Sequence, residues 1–518
     1  MGQLIAMIVH IDDKKPERLT EIWRRPLPQI TLEGLDAERY LDEMEGTISD
    51  VGWEMMRRMF LEQWQLTDKA LVKRYYGDHA VTDGVTCDGF DSVKVLSRFG
   101  ITHLPRQVCE NVKNDHHVLP GNAGLPAHQG QITTRGLQEW VCLLPQDVPF
   151  STAQHLLGWM TRDPKTVSET QMRRWVAHHG QFIREAEQTE VQELTARKNL
   201  DGLQAQLTPV KEIRHPAAWK PELDEAVKAA LDKPDGGPPK GVLPGDWERV
   251  LKARSEEQEL KKLRRLGPEV RPGEVVASTD DVCVRRPEKR RWLELRTACV
   301  RTSEGRRYLS GTPEAVLLQL YLFLQLCGGI NAKLTLLGDG ARWIAGFFAE
   351  RLAGWTASEL ILDWYHLGKK CSELTSMICR GRVVKKKLLG QLLSNLWRGK
   401  GEATLTILKN YRSEAKNVEA LDTLIAYLNT RLPFLPDYKQ RRADRQFIGS
   451  GFGEKANDLI VSRRQKNKGM HWSREVSDGL AALRTLMLNG GWDLYWQKNQ
   501  VLPLAVSVFF SLVVAFTY

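Results

Sequence analysis

Residues 332–367 carry the feature that most constrains the fold of this chain: a strand, an acid, a helix, a second strand and a second acid in direct succession. An apolar run, residues 334–337, leads into Asp339 within a Gly-Asp-Gly turn. A helical pattern follows, and another apolar run leads into Asp363 and, three residues later, His366. Groups at the carboxyl ends of strands in an open α/β sheet face the crevice where ligands bind. These acids are therefore candidates for a functional site.

Length and charge bound the class of protein. The chain has 518 residues, which exceeds the length at which one hydrophobic core usually stops growing, so we expect about three domains. Lys plus Arg total 74 against 64 for Asp plus Glu, an excess that permits a polyanionic partner without requiring one. The eight cysteines form no CxxC pair, and the first residues lack the pattern of a secretory signal. We therefore expect reduced thiols in a cytoplasmic protein.

The first part of the chain predicts a helical region and then a small β-containing unit. Residues 1–80 are assigned to helix because apolar residues recur every three or four positions between 33 and 78. Residues 81–145 show short apolar alternations typical of strands. They also contain residue types that could bind zinc, namely Cys87, His103, Cys109, His116 and His117. Because their spacing matches no standard finger or ribbon, we expect no structural zinc ion.

Residues 146–182 resemble a helix-turn-helix, with two short helices separated by a tight polar break. Ser151 and Ser168 are the predicted N-caps of these helices. In this motif the second helix enters the major groove of DNA and places its first residues on base edges and phosphates. The predicted DNA contacts are therefore Ser168, Thr170, Gln171, Arg173 and Arg174. A short helical hairpin that does not bind DNA remains the alternative.

Two further segments differ in composition from their surroundings. Residues 183–272 are charged, partly helical and rich in Pro and Gly, which predicts a linker between two halves of the chain. Residues 498–518 form an apolar tail, and its uncharged part from 501 has the length of a membrane-span candidate. Its proline and its many Val and Phe residues favour a buried strand or helix, or an extension without function, over a membrane anchor.

Residues 273–497 change from an antiparallel ribbon to alternating helices and strands, with a helical insertion around 368–435. This order predicts a mixed five-stranded sheet of the RNase H type. The complete prediction is thus a multi-domain α/β plus α protein, in which helical and helix-turn-helix regions precede that sheet. A doubly wound nucleotide-binding fold is the alternative, but no GxGxxG follows the first strand and no Walker sequence occurs.

Three acids stand at predicted element ends: Asp280 or its neighbour Asp281, then Asp339, then Glu454 in the first turn of a late helix. Mg²⁺ binds through one or two carboxylates and keeps water and substrate phosphate as its other ligands. Two such ions about 4 Å apart can serve an in-line phosphoryl displacement. The alternative is structural, because an acid also stabilises a helix N-terminus.

Two runs of cations occur in this part of the chain, and the first lies in a segment, Cys379 to Lys400, that contains no acid. We expect them to contact phosphates rather than to form an ordinary solvated surface. The first run comprises Arg380, Arg382, Lys385, Lys386 and Lys387, and the second comprises Arg463, Arg464, Lys466 and Lys468.

Over about residues 90–497 the chain resembles the DDE transposases of bacterial insertion sequences, which are related to Mutator-like transposases. The resemblance is carried by Ser-Thr-Asp-Asp at 278–281, Gly-Asp-Gly-Ala-Arg-Trp-Ile at 338–344, Leu-Asp-Trp-Tyr-His-Leu at 362–367, Ile-Gly-Ser-Gly-x-x-Glu at 448–454 and Gly-Met-His-Trp-Ser at 469–473. Gly453 stands where that family usually has an aliphatic residue, and only Cys87 and Cys109 remain where relatives carry paired cysteines.

The resemblance implies an RNase H-like core that cuts DNA and transfers strands with two Mg²⁺ or Mn²⁺ ions. The implied catalytic residues and metal ligands are Asp280, Asp339 and Glu454, with Asp281, Asp363 and His366 as accessory residues. The implied partners are double-stranded DNA of the element ends and of the target, and further copies of the chain, in a nucleoid-associated protein without a small-molecule substrate. The alternatives are a nuclease or resolvase that only hydrolyses DNA, and a catalytically inactive DNA-binding protein derived from a transposase.

Overall fold

The structure is a computed structural model, and it describes residues 3–12, 15–26, 37–113, 116–125, 132–197, 267–288, 291–467 and 469–504. The chain divides into two compact units, Met1–His179 and Gly180–Tyr518. Helices and both parallel and antiparallel strands occur among the described residues, so the predicted mixed α/β class is confirmed.

A β-hairpin precedes the long first helix. Strands β1 (Gln3–Asp12) and β2 (Lys15–Pro26) pair antiparallel, and helix α1 (Ala37–Asp83) follows. The helical pattern predicted for residues 33–78 corresponds to α1, whereas the hairpin departs from the assignment of residues 1–80 to a helical region. The apolar run in β1 is continuous rather than helically spaced and is rich in β-branched residues, which suits a strand.

Two small sheets fill the region in which the sequence predicted a β-containing unit. Their strands are β3 (Val85–Thr86), β4 (Phe90–Ser97), β5 (Gly100–Gln107), β6 (Cys109–Asn111), β7 (His116–Val118) and β8 (Ile132–Thr133). The sheet orders are β3-β6-β7 and β5-β4-β8. Trp64 of α1 packs against Val95 and Leu104, and its indole N–H donates to the carbonyl of Pro105 at 2.7 Å. Helix α1 thus provides the apolar cover for the second sheet.

Cys87 and Cys109 form a disulfide, whereas the other six cysteines are free thiols. The expectation that all eight are reduced is wrong for this pair. The cause is the register of β3 and β6, which pairs Thr86 with Glu110 and so brings the next residues, Cys87 and Cys109, opposite each other. Sequence spacing alone carries no information about such a cross-strand pair.

Three helices complete the first unit or begin in it: α2 (Arg135–Leu143), α3 (Phe150–Met160) and α4 (Glu169–Ala196). Ser168 caps α4 as predicted, because its Oγ accepts from the amide of Gln171 at 3.3 Å. Ser151 does not cap α3, which starts after Pro149 without a side-chain cap. Helix α4 has 28 residues and is much longer than the short second helix that the sequence suggested.

The second half of α4 belongs to the second unit. Val191 and Leu194 lie in the same apolar cluster as the central sheet, and the backbone of Gly180 packs directly on Gly479. The prediction of a linker from residue 183 is therefore wrong as far as residue 196. The sequence did not indicate this packing because Val191 and Leu194 are separated along the chain by polar and charged residues, which lie on the exposed face of the helix. Residues 198–266 of the predicted linker lie outside the described residues.

The second unit contains a five-stranded mixed sheet. Its strands are β9 (Glu274–Arg285), β10 (Trp292–Arg301), β11 (Arg306–Gly311), β12 (Lys333–Gly338) and β13 (Ala357–Leu362), in the order β11-β10-β9-β12-β13. β9, β10 and β11 are antiparallel, whereas β12 runs parallel to both β9 and β13. β9 does not end at its acids, as the sequence suggested. It continues to Arg285 because β10 still pairs with it after β12 has separated at Ser278.

Helices cover both faces of this sheet. They are α5 (Pro313–Leu326), α6 (Arg342–Phe347), α7 (Trp364–Ile378), α8 (Arg382–Trp397), α9 (Gly401–Asn410), α10 (Val418–Asn429), α11 (Tyr438–Ala443), α12 (Gly451–Asn457), α13 (Arg463–Gln465), α14 (Arg474–Leu488) and α15 (Trp492–Lys498). Thr312 caps α5 through the amide of Ala315, as predicted. One face of the sheet packs on α5, and the other packs on the helical insertion that begins with α7.

The start of the predicted apolar tail packs against the second unit. Leu502 and Leu504 are buried, and the amide of Leu504 donates to Glu190 Oε1 at 2.6 Å. Residues 505–518, which make up most of the predicted tail, lie outside the described residues. Among the helices in the described part of the chain, none has the length and apolar character needed to cross a membrane.

Candidate active site

The register of β9 and β12 places Asp280 and Asp339 on the same face of the sheet. Ser278 pairs with Leu337 in the parallel ladder. Side chains alternate between faces along a strand, so Asp280 and Asp339, each two residues further on, share the face of Ser278. Asp339 follows β12 directly and is exposed, whereas Asp280 is half-buried. Two carboxylates, one within β9 and one directly after β12, therefore lie on the same face of the sheet, near the carboxyl end of β12.

Asp280 sits in surroundings that disfavour its negative charge. Burial and the nearby charge of Asp339 raise the pKa of Asp280 above its usual value. Two hydrogen bonds oppose this effect: Asn457 Nδ2 donates to Oδ2 at 3.0 Å and the amide of Asp281 donates to Oδ1 at 2.9 Å. The net effect is still a raised pKa, so a cation placed here would stabilise the ionised carboxylate.

Asp281 points to the opposite face of β9 and has a different role. Both of its oxygens accept from Arg296, at 2.6 Å from Nε and 2.8 Å from Nη2. The guanidinium of Arg296 also lies over the ring of Trp343, with 3.5 Å between Cζ and the ring centroid. Of the two neighbouring acids that the sequence could not separate, Asp280 therefore faces Asp339, and Asp281 belongs to a half-buried ion pair.

Asp339 is held within a tight turn. Its Oδ1 accepts from the amide of Ala341 at 2.8 Å, and Gly340 has a φ of 91°, a conformation that side chains disfavour. On the far side of the turn, Arg431 Nη2 donates to the carbonyl of Gly340 at 2.6 Å. The backbone that carries this carboxylate is thus fixed from two directions.

Glu454 lies in the first turn of α12, as predicted. The helix contacts β9 directly, since a Cβ added to Gly453 would lie 2.8 Å from the Cβ of Ser278. Asn457, one helical turn after Glu454, donates to Asp280. These two contacts place the helix that carries Glu454 against β9 beside Asp280, and the Glu454 side chain itself is about half exposed (54%). Gly453 therefore permits the close approach that positions this acid.

Asp363 is fully buried and its hydrogen bonds are saturated. Oδ1 accepts from the amides of Tyr365 at 2.6 Å and His366 at 2.9 Å, and Oδ2 accepts from the amide and the hydroxyl of Ser450. Burial alone would raise the pKa of Asp363, but the hydrogen bonds from His366 and Ser450 outweigh it and lower that pKa to about 2. Asp363 therefore joins the start of α7 to the turn that precedes α12.

His366 lies between two carboxylates. Its Nδ1 is 3.5 Å from Asp363 Oδ1 and 3.5 Å from Glu454 Oε1. The interaction with Asp363 raises the pKa of His366, burial opposes that shift, and Glu454 and Asp339 add to it. Ligand atoms of Asp363, His366 and Glu454 lie within 4.8 Å of one another, close enough to hold a metal ion. Because both oxygens of Asp363 already accept hydrogen bonds, His366 and Glu454 are the members of this group that remain available.

The predicted DNA-contacting residues divide by exposure. The first group is exposed and comprises Ser168, Thr170, Arg174, Arg380, Arg382, Lys386, Lys387, Arg463 and Lys466, whereas Gln171 and Lys385 are half-buried. Arg173 is engaged by Glu169 at 3.4 Å and by the ring of Phe150. Lys468 lies outside the described residues.

Arg464 departs from the prediction of a phosphate contact. Its side chain is buried and its Cζ lies 4.8 Å from the ring centroid of Trp472, while Nη1 donates to the sulfur of Met470. A guanidinium placed in this way stabilises the fold and is not accessible to a phosphate. The sequence did not indicate this, because Trp472 and Arg464 meet only when the chain after α13 folds back.

Two residues that contact the site were not identified from the sequence. Asn457 carries a usable signal, since it lies three residues after Glu454 and therefore shares its helix face. No sequence pattern identifies Arg431, because it contacts the Asp339 turn only after the helical insertion has folded. A comparison of the chain with models of known protein families and with curated protein sequences finds no match.

Proposed function

We propose that this chain is a DNA transposase of the DDE type, which cuts DNA at the ends of a mobile element and joins those ends to a target. The observation that carries the proposal is that Asp280 and Asp339 share one face of the sheet, while α12, the helix that carries Glu454, packs on β9 beside Asp280. The three acids come from two strands and a late helix that lie far apart in sequence. Such a set of carboxylates suits phosphoryl transfer assisted by divalent cations.

The topology of the sheet supports an RNase H-like core. Three antiparallel strands, β9 to β11, are followed by two parallel strands, β12 and β13, on the other side of β9. Asp280 and Asp339 follow the last residues that pair between β9 and β12, and α12 contacts Asp280 at this point through Asn457. Between β13 and α12 lie the helices α7 to α11, and the sequence predicted a helical insertion around residues 368–435 of this span.

The donors fit Mg²⁺ or Mn²⁺. The three candidate ligands are hard carboxylates, and the pKa of Asp280 is raised by burial and by the charge of Asp339, as expected for acids that share a site without a counter-charge. When bound, two such ions would promote attack by water or a 3′-hydroxyl and stabilise the departing oxygen. Asp280, Asp339 and Glu454 would hold them.

The surrounding residues orient these ligands. Asn457 fixes one oxygen of Asp280, the Ala341 amide fixes one oxygen of Asp339, and the link from Asp363 to Ser450 sets the start of α12. His366 faces Glu454 and, in its protonated form, would hold that carboxylate in place. Each ligand thus has a partner that restricts its geometry before DNA binds.

The exposed cations supply a DNA-binding surface. Arg382, Lys386 and Lys387 lie on α8, and Arg463 and Lys466 follow the helix that carries Glu454. Phosphate contacts by such residues give affinity that falls with salt and depends little on sequence. Sequence preference would come from the N-terminal helix-turn-helix region, and assembly of several copies would bring the two element ends together.

The test uses the full-length chain and the DNA that flanks its own gene, incubated with Mn²⁺. Wild type is expected to nick that DNA and to yield joined products, whereas Asp339→Asn should lose both activities and retain binding. The matched control is Asp422→Asn, which removes an acid of an exposed ion pair with Arg412 on the helical insertion. It should behave as wild type.

The remaining outcomes separate the alternatives. Nicks without joined products in wild type would indicate a nuclease or resolvase. Binding without any cleavage would indicate an inactive DNA-binding protein. Cleavage that persists in Asp339→Asn would overturn the assignment of the site.

A further inference from the structure

The helical insertion closes over the turn that carries Asp339 and leaves a cavity of about 510 Å³ beneath it. The cavity lies between that turn, the ends of β12 and β13, and α10. Its lining is mainly apolar and includes Gly338, Gly340, Ala345, Ala426, Tyr427 and Arg431. Because this space lies between α10 and the turn, the two pack less closely here than side chains do in a filled core.

Arg431 spans from the insertion to the turn. Its Nη2 donates to the carbonyl of Gly340 at 2.6 Å, while Nη1 donates to Thr430 Oγ1 at 2.9 Å and to the carbonyl of Tyr427 at 3.3 Å. Its Cζ lies 4.1 Å from the ring centroid of Tyr427. A Cβ added to Gly340 would lie 2.7 Å from Arg431 Nε, so the side chain is in direct contact with the turn.

We propose that Arg431 is a positioning residue that fixes the Gly338–Gly340 turn and thereby sets the affinity of Asp339 for a divalent cation. The inference rests on the proposed function, since it concerns the same metal ligand. The carbonyl that Arg431 holds belongs to the residue next to Asp339, so loss of this bond frees the turn on the side of the cavity. The insertion thus contributes to metal binding without supplying a ligand.

The chemistry of the contact requires arginine. A planar guanidinium can stack on Tyr427 and direct separate N–H groups to Gly340 and to Thr430. Lysine could reach one of these acceptors as a point charge but could not reproduce the fork. Glutamine would lose both the stacking cation and most of the donors.

Mn²⁺ binding to the full-length chain, measured by electron paramagnetic resonance of the free ion, tests the proposal. Residues that orient metal ligands typically contribute about 10-fold to 100-fold in affinity. Arg431→Gln should therefore weaken Mn²⁺ binding by about tenfold or more, and Arg431→Lys should give an intermediate affinity. The matched control is Arg412→Gln, which removes an exposed guanidinium from the same insertion and should bind Mn²⁺ as wild type does.

Thermal unfolding without metal separates positioning from general stabilisation. The proposal is overturned if Arg431→Gln binds Mn²⁺ as tightly as wild type, or if Arg431→Lys and Arg431→Gln weaken binding only in proportion to their loss of metal-free stability. If Arg431→Gln does not fold, equal affinity of Arg431→Lys and wild type overturns it. Asp339→Asn provides the reference: if that variant retains wild-type Mn²⁺ affinity, the proposed site itself fails, irrespective of Arg431.

Discussion

Asp280 and Asp363 are strand-associated acids whose surroundings shift their pKa values in opposite directions. Burial and the charge of Asp339 raise the pKa of Asp280. Burial acts in the same sense on Asp363, yet the donors of His366 and Ser450 lower its pKa to about 2. Asp363 is therefore stable as an anion without any cation, whereas Asp280 would gain from one. This contrast favours a structural role for Asp363, and within the proposed site it favours Asp280 as a metal ligand.

Asp363→Asn is expected to destabilise the second unit. The folded pKa of about 2 lies below the usual value of about 3.9, so ionised Asp363 contributes roughly 2 kcal/mol to the free energy of unfolding. That contribution is present above about pH 4 and is lost as the pH falls towards 2. Urea unfolding of wild type and variant in EDTA, at pH 7 and pH 3, measures the difference. A difference that does not shrink at the lower pH would contradict this account.

Alternation along β9 explains what the sequence could and could not indicate at this scale. The apolar runs before Asp339 and Asp363, and the helix start before Glu454, were visible as patterns. The choice between Asp280 and Asp281 was not, because neighbouring residues face opposite sides and only the pairing of Ser278 with Leu337 decides which side is which. Asp280 lies on the face of β9 that also carries Asp339, whereas Asp281 lies on the opposite face and binds Arg296.

At the scale of elements, the contact between α12 and β9 sets the position of Glu454 relative to the strand that carries Asp280. The helix packs on Ser278 at Gly453, and no side chain larger than glycine fits there without a shift. From the sequence alone Gly453 appeared as a departure from a family pattern, because its value depends on a neighbour that lies far away in the chain. The length of α4 was likewise not evident from the sequence. Its start was predicted, but its extent depends on the packing of Val191 and Leu194 on the sheet.

Gly453→Ala should displace α12 and with it Glu454. Overpacking of this kind lowers the free energy of unfolding by about 1–3 kcal/mol. The variant should still be folded, and we expect the rate of its Mn²⁺-dependent cleavage to fall well below that of wild type. Gly451→Ala is the matched control in the same helix, since a Cβ there meets nothing within 4 Å.

A second change tests the steric cause. Ser278→Gly removes the side chain that a Cβ at position 453 would strike. The double variant Ser278→Gly/Gly453→Ala is therefore expected to recover part of the cleavage activity that Gly453→Ala loses. No recovery, together with unchanged stability in the single variant, would argue against close packing as the reason for glycine.

At the scale of the whole molecule, binding to DNA should depend on a limited set of exposed cations. Replacing Arg382, Lys386 and Lys387 with glutamine is expected to reduce the slope of log affinity against log salt by about 0.9 for each phosphate that the protein no longer neutralises. The matched control replaces Lys369, Lys409 and Lys439, which are also exposed and lie on the helices between β13 and α12. Binding isotherms over a range of salt give both slopes, and equal slopes for the two triple variants would remove α8 from the DNA-binding surface.

The early separation of β12 from β9 has a further consequence, for self-association. Beyond Ser278, β9 pairs with β10 alone among the described strands, so its other side would expose backbone donors and acceptors to pairing with a foreign strand. Here that side is occupied by groups that are not strands: Asn457 Nδ2 reaches the carbonyl of Asp281 at 3.4 Å, and the amide of Trp472 donates to the carbonyl of Arg285 at 2.9 Å. The segment after Glu454 thus covers part of this side of β9, and we expect this cover to disfavour pairing with a second strand.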